Sequence, residues 1–120
     1  MATTKTSPTK RTLDALRKDG WTCQVVERWN PFAKQRLDLF GCIDVVALHP
    51  GITLGVQCTT ADHLAERVAK VCAEPRIRAW IEAGNQMECW GWAKKGPRGK
   101  RKTWEVNIRE ITIEQLEAVA

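Results

Sequence analysis

Three polar residues stand in two neighbouring apolar segments of the chain, and their chemistry suits the binding of a metal ion. Asp44 lies in the first segment, and Gln57 and Thr59 lie two residues apart in the second. Both segments have the composition of β-strands, and the His-Pro-Gly sequence at 49–51 predicts a tight turn between them. Carboxylate and amide oxygens are ligands that Mg²⁺ accepts. The sequence therefore predicts a hairpin that carries a metal site.

The predicted hairpin has strands at 41–48 and 52–59, and its geometry would bring the polar side chains together. Side chains alternate between the two faces of a strand, so Gln57 and Thr59 point the same way. A hairpin loop of about four residues places Asp44 roughly opposite Gln57. We therefore expect Asp44 and Gln57 to hold a divalent cation at one edge of the hairpin.

Other interpretations of these three residues stay open. A buried carboxylate without a partner costs several kcal/mol, so Asp44 needs a neighbouring charge. That charge could be Arg28 or Arg36 instead of a metal ion. Gln57 and Thr59 could simply form cross-strand hydrogen bonds.

Two further carboxylates precede the hairpin. The segment 21–29 alternates as a strand does and places Glu27 on the same face as its apolar residues. Glu27 is therefore expected to supply a second carboxylate to the metal, with an edge-strand salt bridge as the alternative. Asp38 lies in the connection predicted at 32–40, and it is expected to be a turn residue or an ion-pair partner rather than a second acid near the site.

Positive charge is concentrated in one predicted loop. The chain has a formal net charge of +5, and six of its 19 Lys and Arg residues lie between positions 94 and 102 with no acidic residue among them. Such a cluster indicates a polyanionic partner, although it could also be a solvated hairpin tip. The residues expected to contact nucleic acid are Lys94, Lys95, Arg98, Lys100, Arg101 and Lys102, together with Lys10 and Arg11.

Length and composition exclude several classes of protein. The 120 residues suffice for one domain, expected at 9–120 after a flexible basic tail at 1–8. No apolar run approaches the ~20 residues of a membrane span, so no membrane partner is expected. Five cysteines without C-x-x-C spacing favour free thiols in a reducing cytoplasm over a zinc cluster or a disulfide framework.

Sequence patterns also predict the order of the elements. Thr9 is a candidate cap for a helix that runs to Lys18. Thr59 or Thr60 is the candidate cap of the helix after the hairpin. Thr112 to Gln115 has the form of a capping box for a last short helix. The other predicted elements are helices at 61–74 and 76–83 and strands at 86–94 and 103–111. This order predicts an α/β fold in which helices flank a mixed sheet.

Six tryptophans without any tyrosine are a further feature of the chain. Trp21, Trp80 and Trp104 fall on apolar faces, which predicts that they lie in the core. For the others both core packing and stacking on bases stay open, and these are Trp29, Trp90 and Trp92.

The element order and the polar residues together resemble the PD-(D/E)XK nuclease superfamily, which has the restriction-endonuclease-like fold. That family has an α-β-β-β-α-β core, with an Asp on the second strand and an acid-x-Lys tripeptide on the third. Ile43-Asp44-Val-Val-Ala-Leu48 looks like the strand that carries the Asp. Gly55-Val-Gln57-Cys-Thr59 falls where the tripeptide would be. Together with residues 27–32, the segment is similar to small phage- and prophage-borne members.

The resemblance implies a nuclease that depends on Mg²⁺ or Mn²⁺ and hydrolyses phosphodiester bonds in DNA. It implies metal ligation by Asp44, Gln57 and Glu27. By fold-level analogy, cleavage could be selective for junctions or flaps, and a homodimer would suit a small basic protein. A phage or prophage protein of this kind would act in the cytoplasm of its bacterial host.

The motif departs from the family pattern at two positions. Gln57 stands in place of a carboxylate, and Thr59 stands in place of the lysine. His63, Arg67 and Lys70 follow at i, i+4 and i+7 on one predicted polar face of a helix, and one of them could take the role of the lysine. Arg67 or Lys70 is expected to neutralise charge on the phosphate. The alternatives are a catalytically inactive nucleic-acid-binding module with this fold and a phage accessory protein that binds another protein.

Overall fold

A mixed β-sheet carries most of the residues that the sequence marks as functional. The computed structural model describes residues 6–97, 99 and 101–119, and it describes their side chains except those of Arg36 and Val119. The elements are, in chain order, α1 (Pro8–Lys18), β1 (Thr22–Val25), β2 (Arg28–Asn30), β3 (Gln35–Leu37), β4 (Val45–His49), β5 (Ile52–Thr60), a 3₁₀ turn (Ala61–His63), α2 (Leu64–Ala73), α3 (Pro75–Glu82), β6 (Gln86–Lys95), β7 (Thr103–Glu110) and α4 (Ile113–Val119).

The five strands of the main sheet lie in the order β1-β4-β5-β6-β7. Neighbouring strands are antiparallel except β5 and β6, which are parallel and are connected through α2 and α3. A parallel pair needs such a crossover, and helices normally supply it. The predicted class, an α/β protein with helices flanking a mixed sheet, is confirmed.

Two apolar clusters cover the two faces of the sheet. On one face, α1 packs against side chains of β4, β5 and β6. On the other, α2, α3 and α4 pack against the alternate side chains of the same strands. The first cluster is built on Leu13, Leu16, Val45, Ala47, Leu54, Val56, Cys58, Trp90 and Trp92. The second contains Ile43, Leu64, Val71, Ile77, Met87, Cys89, Ile111 and Leu116.

The β4–β5 hairpin closes at Pro50 and Gly51, between the paired residues His49 and Ile52. Gly51 has a φ of +77°, which glycine adopts at little cost. β4 begins later than predicted, because residues 39–43 form a tight loop closed by a bridge between Leu39 and Ile43.

A separate two-stranded ribbon precedes the hairpin and was not predicted. Sequence patterns predicted one strand at 21–29 and an irregular connection at 32–40. Instead, β2 and β3 pair with each other, in the register Arg28↔Leu37 to Asn30↔Gln35. The side-chain Oδ1 of Asn30 accepts hydrogen bonds from the backbone N–H groups of Phe32 and Ala33, at 2.9 and 3.2 Å. Asn30 therefore shapes this turn.

The helix caps test three predictions. Ser7, not Thr9, caps α1 by accepting a hydrogen bond from the Lys10 N–H at 3.1 Å, because Pro8 occupies the first helical turn. Pro8 is therefore part of the domain and not of the predicted tail, whose residues 1–5 lie outside the described residues.

The other two caps have different outcomes. Thr60 makes no side-chain capping bond, and a 3₁₀ turn precedes α2. The capping box before α4 is confirmed, since Thr112 and Gln115 exchange backbone-to-side-chain hydrogen bonds of 2.9 and 3.3 Å.

Gly91 in β6 allows the 3₁₀ turn and α2 to approach the sheet, and it provides a test of this packing. A Cβ at Gly91 would lie 3.1 Å from the Ala61 Cα and 3.1 Å from the Leu64 Cβ. We expect Gly91→Ala to lower the free energy of unfolding by about 1–3 kcal/mol, measured by urea denaturation. Ala65→Ser, on the exposed side of α2, is the control and should change it by less than about 0.5 kcal/mol. Equal values for the two variants would contradict the close approach.

Candidate metal site and nucleic-acid interface

The carboxylate of Asp44 is the centre of the candidate site. The residue is only 4% exposed, and its Oδ2 accepts two hydrogen bonds. One comes from the Gln57 side-chain Nε2 at 2.6 Å, and the other comes from the Cys58 backbone N–H at 2.8 Å. The predicted meeting of Asp44 and Gln57 is therefore confirmed.

Strand register brings these two residues together. Val45 pairs with Val56, and the backbone N–H of Asp44 donates to the Val56 carbonyl at 2.9 Å. Asp44 consequently lies one position before β4 and opposite Gln57, on the same face of the sheet. The Asp44 carbonyl accepts from the Val26 N–H at 2.8 Å, which fixes the backbone of Asp44 between two neighbours.

Three carboxylates converge at this point. Ligand oxygens of Glu27, Asp38 and Asp44 all lie within 4.8 Å of one another. Glu27 directly precedes β2 and Asp38 directly follows β3, so the two ends of the ribbon bring these acids to Asp44. We refer to the three residues as the acidic cluster. Glu27 thus lies beside Asp44, and its role in metal binding stays a prediction.

The prediction for Asp38 was incomplete. Its carbonyl does begin a turn, by accepting from the Gly41 N–H at 2.9 Å. However, its carboxyl group also lies beside that of Asp44. The structure therefore shows Asp38 as the second acid near the site, which was the less favoured interpretation.

Burial and crowding make it difficult for Asp44 to carry its charge. Burial is the largest cause that raises the pKa of Asp44, from 3.8 to about 7. The negative charges of Asp38 and Glu27 and a hydrogen bond with Asp38 raise the pKa further, whereas the Cys58 N–H lowers it. A cation among these oxygens would offset the repulsion between the negative charges.

The amide of Gln57 adds an oxygen that suits the same cation. Gln57 is 2% exposed, and its buried Oε1 has no hydrogen-bond partner among the described residues. Three carboxylates and an amide oxygen form an all-oxygen set of the kind that Mg²⁺ and Mn²⁺ prefer. The residues present therefore fit the metal that the resemblance implies.

Among the described residues, no arginine forms an ion pair with Asp44. Arg28 is exposed. The other candidate, the side chain of Arg36, lies outside the described residues. The expected alternative of an Asp44–Arg28 salt bridge is therefore wrong.

Thr59 follows Gln57 on β5, whereas Arg67 lies on α2. Thr59 is buried one pleat further along β5, about 7 Å from Gln57 by strand geometry. Arg67 lies in the stripe of α2 between the buried residues Leu64 and Val71. Its Nε is buried without a hydrogen-bond partner among the described residues. Arg67 therefore has a donor to offer on the helix side that packs against the sheet.

The predicted polar face of α2 is wrong in one respect. His63 and Lys70 are exposed, and His63 lies 3.4 Å from the Glu66 carboxylate. Arg67 is instead half-buried, because the 3₁₀ turn before Leu64 changes which residues of the segment face the sheet. Of these three residues, Arg67 is the one that is not exposed, and its role in place of the lysine stays a prediction.

The expected nucleic-acid interface lies around the end of the β6–β7 hairpin. Lys94, Lys95, Arg101 and Lys102 are exposed there, and Arg98 and Lys100 lie outside the described residues. Trp104 pairs with Lys94 across the two strands. The prediction that Trp104 is buried is wrong: it is 42% exposed, because β7 is an edge strand.

We refer to residues 94–102 as the basic hairpin. Helix α1 adds cationic residues of its own to this surface. The guanidinium of Arg11 lies 3.7 Å from the centre of the Trp104 ring. Trp92 donates from its Nε1 to the Thr12 Oγ1 at 3.0 Å, which fixes α1 on the sheet. Lys10 forms an exposed ion pair of 2.6 Å with Asp14. Arg11 therefore belongs to the same surface as the basic hairpin.

A cavity of about 340 Å³ connects α1 to the acidic cluster. Lys10 and Glu27 both line it, so a cationic residue and a cluster carboxylate face one opening. The remaining lining residues are Ser7, Thr9, Leu13 and Val25. An anionic ligand near the cluster would thus have a lysine close to its path.

Comparison with known proteins does not identify a relative. No protein-family model, curated protein or solved structure matches the chain. Among the described residues, no helix combines the length and the apolar character needed to cross a bilayer. The proposal for function is therefore argued from the geometry of the site.

The raised pKa of Asp44 predicts how stability depends on pH. A carboxyl group whose pKa is higher in the folded state stabilises the fold fully below the unfolded pKa near 4, and this contribution is lost as pH rises through about 7. Without divalent metal, we expect the free energy of unfolding to fall by about 1 kcal/mol or more between pH 5 and pH 8. Urea denaturation at each pH measures this change.

The variants for this experiment separate Asp44 from other carboxyl groups. Asp44→Asn should remove most of the decrease, whereas Glu82→Gln, on the exposed side of α3, should retain it. Mn²⁺ added at pH 8 should stabilise the wild type and not Asp44→Asn. An equal pH dependence in wild type and Asp44→Asn would contradict the role of this carboxyl group.

Proposed function

We propose that this protein is a nuclease that depends on a divalent metal ion and hydrolyses phosphodiester bonds in DNA. One observation carries the proposal: oxygens of Glu27, Asp38 and Asp44 lie within 4.8 Å of one another, and Gln57, which bonds to Asp44 through its Nε2, has a buried Oε1 without a partner among the described residues. Asp44 is buried beside two half-buried acids, and a cation would stabilise its ionised form. A surface rich in Lys and Arg on the same protein favours a polyanionic substrate.

The strand order supports the proposed restriction-endonuclease-like fold. Without the ribbon, the chain runs α1, β1, β4, β5, α2 with α3, and β6, which is the α-β-β-β-α-β order of that fold. The first three strands are antiparallel neighbours, and the fourth follows a helical crossover. Asp44 at the start of the second strand and Gln57 on the third correspond in order to the family's acidic residues.

Each residue of the site has a defined task in this mechanism. Glu27, Asp38, Asp44 and the Gln57 Oε1 would hold Mg²⁺ or Mn²⁺. When bound, the metal would make a water more acidic and would stabilise charge on the phosphate. Gln57 and the Cys58 N–H orient the Asp44 carboxylate through the hydrogen bonds to its Oδ2.

The cationic residues act on the substrate. Arg67 is the candidate to neutralise charge on the phosphate in the transition state, in place of the family's lysine. Thr59, buried one pleat away, would support the site by packing. The basic hairpin and Arg11 would bind the DNA backbone, and each neutralised phosphate would steepen the salt dependence of binding.

A second candidate function is DNA binding without cleavage. The Gln57 Nε2 donates a hydrogen bond to Asp44, and Thr59 cannot supply the ammonium group of a lysine. The site therefore lacks the second acid and the lysine of the family's motif. Selectivity for junctions or flaps and the formation of a homodimer stay predictions. Size-exclusion chromatography with light scattering tests the dimer.

A cleavage assay separates the two functions. With Mg²⁺ or Mn²⁺, we expect the wild type to cut linear or branched DNA and Asp44→Ala to be at least about 10²-fold slower, because the metal loses its central ligand. Glu82→Gln should cut as the wild type does. If the wild type binds DNA but cuts none of these substrates with either metal, the binding module is the correct function.

The basic hairpin gives an independent prediction about binding. Replacing Lys94, Lys95, Arg98, Lys100, Arg101 and Lys102 by Ser should weaken DNA binding and reduce the slope of log affinity against log salt, by about one unit for each phosphate that the variant no longer neutralises. Fluorescence anisotropy at several salt concentrations measures both. Lys18→Ser with Arg78→Ser, elsewhere on the surface, should have little effect. Unchanged binding by the six-residue variant would favour a protein-binding function instead.

A further inference from the structure

The β2–β3 ribbon, residues 28–37, has a surface that the site described above does not use. Its sequence contains three basic residues and no acidic residue. At its tip, the side chain of Phe32 is 97% exposed, and Trp29 on β2 is 58% exposed. Exposed aromatic rings on a basic segment are suited to contact with nucleic acid.

The exposure of Phe32 follows from a defined turn. Asn30 and Gln35 are the last paired residues, and residues 31–34 form the loop between them. The Asn30 Oδ1 accepts from the N–H groups of Phe32 and Ala33, and Lys34 takes a φ of +51°. These features hold the loop in one shape, so the phenyl ring is presented to solvent by the fold itself.

The ribbon is joined directly to the acidic cluster at both ends. Glu27 is the residue before β2, and Asp38 is the residue after β3. At strand rise, Phe32 lies roughly 15 Å from Glu27 along the ribbon. One strand of DNA advances about 3.4 Å per nucleotide, so this length corresponds to about four nucleotides. A DNA bound along the ribbon would therefore pass the cluster with a phosphate within reach.

We propose that the β2–β3 ribbon is a DNA-binding arm that places Phe32 against an unstacked base about four nucleotides from the phosphate at the acidic cluster. Lys34 contacts a phosphate beside that base, and Arg28, next to Glu27, contacts a phosphate nearer the cluster; both residues are exposed. The distance to the cleaved phosphate rests on the proposed function, whereas the contact between ring and base does not.

Charge and shape favour nucleic acid over a protein partner. The ribbon carries only positive charge, and exposed rings beside cations are the usual means of binding unpaired bases and backbone together. A two-stranded ribbon fits the major groove, and apolar side chains inserted between base steps kink the duplex. Insertion costs least where bases are already unpaired, so the arm favours bulged or branched DNA over a regular duplex.

Binding to bulged DNA tests the arm. The probe is a 30-base-pair duplex with a two-nucleotide bulge, compared with the regular duplex, in the presence of Ca²⁺. We expect Phe32→Ala to bind the bulged DNA about 5-fold to 100-fold more weakly, the change that loss of one base–aromatic stack produces. The regular duplex should lose less, and Phe32→Trp should restore binding.

Two further measurements identify the type of contact. A 2-aminopurine in the bulge should change its fluorescence with wild-type protein and not with Phe32→Ala. Arg28→Gln and Lys34→Gln should each reduce the salt slope by about one unit on both DNAs. Ile108→Ala, an exposed apolar residue on β7, is the matched control and should bind as the wild type does. Circular dichroism and urea midpoints verify that every variant is folded.

The outcomes separate this inference from the proposed function. If Phe32→Ala binds bulged DNA as the wild type does and gives the same 2-aminopurine signal, the arm is overturned. The arm is also overturned if the wild type binds no DNA, and the expected partner of the ribbon is then a protein. If wild-type protein never cuts DNA but Phe32→Ala loses bulge binding, the nuclease proposal fails and the arm stands.

Discussion

The buried carboxylate of Asp44 is the constraint on which the arrangement of the site depends. It is held by the Gln57 amide and the Cys58 N–H, and both contacts follow from the register of β4 and β5. Two more acids approach it from the ends of the ribbon, and this proximity makes the ionised form costly. A core that served stability alone would not gather like charges at one point. This arrangement is the strongest physical reason to expect a cation there.

Helices cover both faces of the sheet that holds Asp44. α1 covers one face, and its start, with Lys10, lines the cavity that also contains Glu27. α2 covers the other face and carries Arg67 toward the sheet, with Gly91 allowing the close approach. The basic hairpin extends the positive surface beyond Arg11 and Trp104. Two consecutive residues of α1 thus link the two regions, since Lys10 lines the cavity with Glu27 and Arg11 contacts Trp104.

The sequence was sufficient for the features that depend on local rules. The hairpin register followed from a Pro-Gly turn and the alternation of side chains, so the meeting of Asp44 with Gln57 could be predicted. The crossover helices and the capping box before α4 were also found from pattern. The position of Asp38 beside Asp44 could not be predicted, because it depends on ten residues that fold back as a ribbon. Trp104 was misassigned, since alternation does not indicate whether a strand lies at the edge of a sheet.

The place of the ribbon in the chain has a consequence for how such a protein can change. β1 and β4 are antiparallel neighbours, and the Val26 N–H still bonds to the Asp44 carbonyl beyond the last paired residues. The ribbon is therefore an insertion within a single hairpin, and its inner residues contribute nothing to the sheet. Only the two residues that flank the ribbon, Glu27 and Asp38, belong to the acidic cluster. The sequence of the tip can therefore change from one descendant to the next without displacing the acidic cluster.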